Sequence, residues 1–397
     1  MKNIARPLAS LCAIGFGVIW LAAAVTPAAP AANPVPAWSQ NQQAAAAKYL
    51  DNRMVEWWDK SKTLKTGGGE VKCVSCHTAV PYAWARAALR RAQHVTEPTS
   101  HEERILEIVR RRVEYAGDDQ PYYDHTEDKK VESRGVEAVI NAVILTSRDA
   151  EASSTDTASS PATTAAITRM WEVQRSDGAW DWLDFGLEPY EAPDAAFAGA
   201  TMAALAAGSP TGRRASDTDK GRAGLDHLRA YVHASLATQR LFNRTWALLA
   251  SSRLDGLLTK TERDAILHDL DQHQRPDGGW SLPDLGTWRW KKQEAPFAPP
   301  GTTDTDLLAA SDGYATGLVV YAMRQAGRTA ADSVAVRKGQ QWLIDHQIPE
   351  RPDDPAWAPW RAHSLNFDRE HGGPKGEPWR RMFMSDLATS FAVLALL

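Results

Sequence analysis

The sequence is poor in cysteine, with three in 397 residues, and one of these, Cys12, lies in an apolar N-terminal run. A dense disulfide scaffold is excluded by that count. So is a zinc site built from two Cys pairs, which takes four nitrogen or sulfur ligands. Strand signals are also scarce. Alternating β-branched runs are nearly absent while Ala, Leu and Arg dominate, which excludes sandwiches, barrels and βαβ units. No basic block is present: 45 Lys and Arg stand against 49 Asp and Glu, a net charge of −4, so nucleic acid is not an expected partner. After Leu8–Val25 no stretch is long and apolar enough to span a membrane.

What is present begins with that run. Lys2 and Arg6 precede it, and Ala29-Pro30-Ala31 follows as a small-residue cleavage site. Residues 1–31 read as a signal peptide, which places the mature chain in the periplasm or otherwise outside the cytoplasm. An uncleaved membrane anchor is the alternative. Residues 32–42 read as a flexible segment and 43–397 as one folded body.

The string Cys73-Val74-Ser75-Cys76-His77 gathers both remaining thiols and a histidine within five residues. It reads as a c-type haem attachment site, in which each thiol adds to one vinyl group of a single haem and His77 reaches the iron as proximal ligand. A thioredoxin-like redox pair would sit beside a βαβ pattern that the chain lacks. A structural disulfide between Cys73 and Cys76 is the other reading. Candidates for a sixth iron ligand are Met384 and Met382, before the last apolar segment, and His125 within Tyr122-Tyr123-Asp124-His125-Thr126. Methionine would raise the reduction potential and histidine would lower it. The basic stretch Lys60–Thr66, followed by Gly67-Gly68-Gly69, reads as a solvated turn.

Self-similarity organises the rest. Gln174-Arg175-Ser176-Asp177-Gly178-Ala179-Trp180 recurs as Gln274-Arg275-Pro276-Asp277-Gly278-Gly279-Trp280, and each copy follows a helical stretch. Segments with charge on one face alternate with segments apolar nearly all round, the mark of outer and buried helices. Six pairs result: 43–59 with 80–92, 101–116 with 133–147, 161–174 with 192–207, 220–239 with 242–253, 261–274 with 310–327, and 331–347 with 384–397. They predict an all-α fold, a single (α/α)6 toroid, with the Cys-x-x-Cys-His string in its first outer-to-inner loop.

The Gln-x3-Gly-x-Trp element resembles the QW repeat of the squalene-hopene cyclase and prenyltransferase toroids. Gln174 with Trp180 and Gln274 with Trp280 match it, and Gln347 with Trp357 is a degenerate third copy. The resemblance implies that Gln and Trp tie neighbouring hairpins together. Cyclase chemistry does not follow, because the Asp-x-Asp-Asp acid is absent. Asp304, Asp306 and Asp312 are the nearest candidates, and an aspartate before an apolar helix reads first as a cap, as do Asp194 and Asp386.

The sequence therefore predicts an exported mono-haem protein that transfers electrons to a redox partner protein, or runs haem-based redox chemistry at the barrel mouth. The cavity would shelter a hydrophobic or isoprenoid small molecule, and whether the protein is an enzyme stays undecided. The alternative is a toroid without haem, terpenoid-cyclase-like or polysaccharide-binding or cleaving, with Cys73 and Cys76 as a disulfide.

Overall fold

The computed structural model describes residues 35, 37–67, 69–117, 119–152, 159–288, 310–354, 357–362, 365 and 382–397. Residues 1–31, read in the sequence as a signal peptide, and two of the acid candidates, Asp304 and Asp306, lie outside these. Helices dominate. In chain order they are α1 (Gln40–Lys60), α2 (Ala79–Ala92), α3 (Ser100–Glu114), α4 (Glu127–Ala152), α5 (Pro161–Glu172), α6 (Ala195–Ala207) and the short α7 (Pro210–Ala215). There follow α8 (Asp219–Ser235), α9 (Leu241–Ser251), α10 (Lys260–Gln272), α11 (Gly313–Gln325), α12 (Val334–Asp345) and α13 (Phe383–Leu396).

The six outer helices are α1, α3, α5, α8, α10 and α12. Each starts on a serine or threonine whose hydroxyl accepts a backbone N–H of the first turn: Ser39, Thr99, Ser160, Thr218, Thr259 and Ser333. The cap satisfies one of the amides that a helix start leaves without an intrahelical partner. Ser39, Thr99 and Thr259 also form full capping boxes with Gln42, Glu102 and Glu262. In α6, α9, α11 and α13 nearly every residue is buried, so packing rather than amphipathic patterning holds them.

Inner helices pack in the cyclic order α2, α4, α6, α9, α11, α13 and back to α2. The ring is closed, as the six pairs predict. The two repeat copies do the same work twice. The Gln174 side-chain amide donates to Gly178 O and to Gly224 O on α8, and Gln274 donates to Gly278 O and to Ala335 O on α12. The Trp180 indole N–H donates to Met170 O and that of Trp280 to Leu270 O, each closing the end of its own outer helix. Between them Gly178 and Gly278 take φ of 93° and 95°, and a Cβ on Gly178 would lie 2.2 Å from His227 O.

The third copy differs from expectation. Gln347 accepts from the Trp38 indole at 2.7 Å and donates to Gln42 O on α1 at 2.8 Å, so it joins the last hairpin to the first. Its tryptophan partner is Trp360, which donates to Leu343 O at 2.8 Å, the place matching Met170 and Leu270. Trp357 instead donates to Ile348 O at 3.3 Å. A longer loop displaces the tryptophan along the chain without changing its task.

The stretch read as a solvated turn is a two-stranded antiparallel hairpin, β1 (Thr63–Thr66) with β2 (Gly69–Lys72). Leu64 and Val71 face inward and are buried. Gln120 fastens the hairpin to the second loop, its N–H donating to Lys65 O and its side chain accepting from Lys65 N.

Candidate functional site

A half-open cavity of about 540 Å3 lies at the mouth of the ring. The end of α1, three loops and α13 build its wall. The end of α1 brings Trp57 and Lys60; the first loop brings Lys62, Cys73 and His77; the second brings Tyr122 and Tyr123; the third brings Phe185 and the turn Leu187–Glu191; α13 brings Phe383, Met384 and Leu387.

Each wall segment is held from below. The Trp57 indole donates to Cys73 O at 2.7 Å, fixing the end of α1 against the Cys-x-x-Cys-His string. The Ser75 hydroxyl accepts from Thr78 N and Ala79 N and so starts α2. The Arg112 guanidinium donates to Gln120 O and lies 5.1 Å from the Tyr122 ring. In the third loop Phe185 N and Leu187 N both donate to Glu191 O at 2.8 Å. Arg240 forks onto Glu188 at 2.6 and 2.9 Å, and the Trp182 indole donates to Tyr190 O.

His77 stacks on Phe383 with ring centres 3.8 Å apart and meets the edge of Trp57 at 5.8 Å. Its Nδ1 lies 3.1 Å from Thr78 Oγ1, which donates to Asp386 Oδ2 at 2.7 Å. Asp386 also accepts from Tyr49 and, through both oxygens, from Arg53. Asp386 is thus an ion-pair hub inside the first turn of α13 and not a cap. Asp312 is a cap: Oδ1 accepts from Tyr314 N and Ala315 N, and Oδ2 from Leu282 N. Asp194 stands at the cap position of α6 without a side-chain cap bond.

Cys73 and Cys76 are free thiols. Burial pushes the Cys73 thiol up to about 12, with the charge of Glu137 adding to it, and raises Cys76 well above the ordinary thiol range. Of the iron-ligand candidates, Met384 lines the cavity, Met382 is buried outside its wall, and His125 is an exposed rim residue 6.5 Å from Phe185. Trp288 and Trp360 are buried framework residues away from the wall. Sequence reasoning gave no role to Phe185, Glu188, Tyr190 or Glu191. Their loop was legible as a mouth loop, but nothing in it forms a motif.

No family model matches the chain, and no curated protein does. Solved structures do. Unsaturated glucuronyl hydrolase from Bacillus sp. GL1, described as responsible for the degradation of glycosaminoglycan, matches 90% of this chain and 96% of its own at 10% identity, with a TM-score of 0.52. A variant described as UGL with dGlcA-Glc-Rha-Glc matches 90% of this chain and 96% of its own at 11% identity and a TM-score of 0.50. At such identity the likeness shows the fold, and it places the chain among the (α/α)6 toroids.

The electron-transfer expectation is corrected here. The toroids this chain matches are a glycosaminoglycan-degrading hydrolase and a saccharide complex, not redox proteins. Among the described residues, no group of three or more His, Cys, Asp or Glu could hold a metal ion. No helix among the described residues is long and apolar enough to cross a membrane.

Proposed function

We propose that the chain is a glycan-acting toroid whose mouth cavity takes the end of a short oligosaccharide. The cavity wall carries this reading. Trp57, Tyr122, Tyr123, Phe185, Tyr190 and Phe383 surround a space within the usual ligand-site range of roughly 300–1,000 Å3. Aromatic faces suit the C–H faces of a sugar, and the polar groups between them suit its hydroxyls. Lys60 is paired with Glu56, Lys62 with Asp124 and Glu188 with Arg240, which suits a sugar of low charge better than a polyanion. The cyclase-like repeats tie hairpins together and stand outside the cavity, so that resemblance supports the framework and not the chemistry.

The test is titration of the full chain with cellotetraose and with chondroitin disaccharides, followed by calorimetry. Saturable binding is expected for at least one probe. Tyr123→Ala, at an exposed rim position, should weaken it about fivefold to tenfold while the fold persists. Absence of binding to both probes would sink the reading. So would a covalent haem revealed by a pyridine haemochrome spectrum of exported protein, because a tetrapyrrole on Cys73 would occupy this cavity.

A further inference from the structure

We propose that Arg240 is the positioning residue of the cavity wall, and that through it the loop between α10 and α11 acts on ligand affinity without touching the ligand. The effect on affinity rests on the glycan reading; the ordering of the wall does not. Arg240 is the residue immediately before α9. Its Nη1 and Nη2 donate to different oxygens of Glu188, at 2.6 and 2.9 Å. A planar guanidinium in two-point contact fixes a carboxylate in direction as well as in place, which an ammonium cannot do. Glu188 belongs to the cavity wall, yet its side chain is only 1% exposed and that of Arg240 15%. The carboxylate fixes the chain around it in turn. Leu187 and Glu191 exchange both backbone hydrogen bonds at 2.8 Å, so residues 188–190 form a closed turn, and Glu188, Pro189 and Tyr190 all line the cavity.

The other side of Arg240 belongs to the loop between α10 and α11. Its guanidinium carbon lies 4.7 Å from the centre of the Trp288 ring. Its stem covers Gly286, where a Cβ would come within 2.9 Å of Arg240 Cδ. Trp288 is fixed independently: the indole donates to Pro283 O at 3.1 Å, and the ring meets Phe242 edge-on at 5.7 Å. Neither Gly286 nor Trp288 lines the cavity. One side chain therefore joins the start of an inner helix to two mouth loops, only one of which reaches the ligand space. Loss of the guanidinium leaves the Glu188 carboxylate buried and uncompensated, and the turn relieves this by carrying it to water, with Pro189 following.

The test has two readouts on the full chain. Hydrogen exchange followed by mass spectrometry reads the ordering without ligand. In Arg240→Gln the peptide covering residues 184–191 should exchange at least about tenfold faster, while α2, α11 and α13 keep their wild-type rates. Arg240→Lys should fall between the two, and Trp288→Leu should speed the same peptide about threefold. Calorimetry reads the ligand. For whichever of cellotetraose and chondroitin disaccharide the wild type binds, Arg240→Gln should raise Kd about tenfold and Trp288→Leu about threefold. Unchanged exchange at 184–191 in Arg240→Gln would overturn the proposal. So would acceleration spread evenly over the helices, the mark of a residue that serves the framework alone. A loosened turn with unchanged Kd would overturn the effect on the ligand, and a Trp288→Leu protein that matches wild type in both readouts would overturn the part given to its loop. A wild type that binds neither probe would overturn the glycan reading and with it the effect on affinity, while the exchange rates still decide the positioning role.

Discussion

At the residue scale, Gln347 is the side chain on which ring closure can be read most directly. It accepts from Trp38 and donates to Gln42 O, across the join between last and first hairpins. Gln347→Ala leaves the Trp38 indole and the Gln42 carbonyl without this partner, a loss of about 1–3 kcal/mol for two hydrogen bonds. Urea unfolding followed by tryptophan fluorescence should show the midpoint falling with the slope unchanged. Gln174 and Gln274 were legible in the sequence because their tryptophans follow at one fixed spacing around a left-handed glycine. Gln347 was legible as a relative of these, but its true partner Trp360 was not, since a loop of different length carries it to the same carbonyl position. The contact between Thr78 and Asp386 was invisible for a related reason. Thr78 and Asp386 are far apart in the chain, and only the closed ring brings them into contact.

At the scale of elements, the pairs of outer and inner helices could be read because two independent signals coincide. Charge on one face marks the outer helices, and an unbroken apolar run marks the buried ones. The β1–β2 hairpin escaped because four-residue strands give too few alternations for a period to show. The contact between α1 and α13 deserves its own test. Arg53 on α1 and Asp386 on α13 form an ion pair with both side chains almost wholly buried. Removing one partner leaves an uncompensated buried charge, so Arg53→Met should cost about 3–5 kcal/mol, more than its lost packing implies. Thermal denaturation would detect it, and the double variant Arg53→Met with Asp386→Leu should recover part of the loss, because the orphaned carboxylate is gone.

For the whole molecule, closure changes how the chain should melt. An open solenoid contacts only its sequence neighbours and can unravel from its ends. Here every inner helix packs on two others, and α13 packs on both α11 and α2. Far-ultraviolet circular dichroism and tryptophan fluorescence should therefore report one coincident transition, whereas separated transitions would show that the hairpins unfold as independent blocks. The cavity has a further consequence. Its wall draws on loops from three hairpins and on the inner helix of a fourth, while the Gln and Trp residues that lock the repeats stand apart from it. Scaffold and specificity are therefore written in different letters of the same chain. One mouth loop can be exchanged for another without disturbing the lock beneath it, and the ring can keep its shape while its ligand changes.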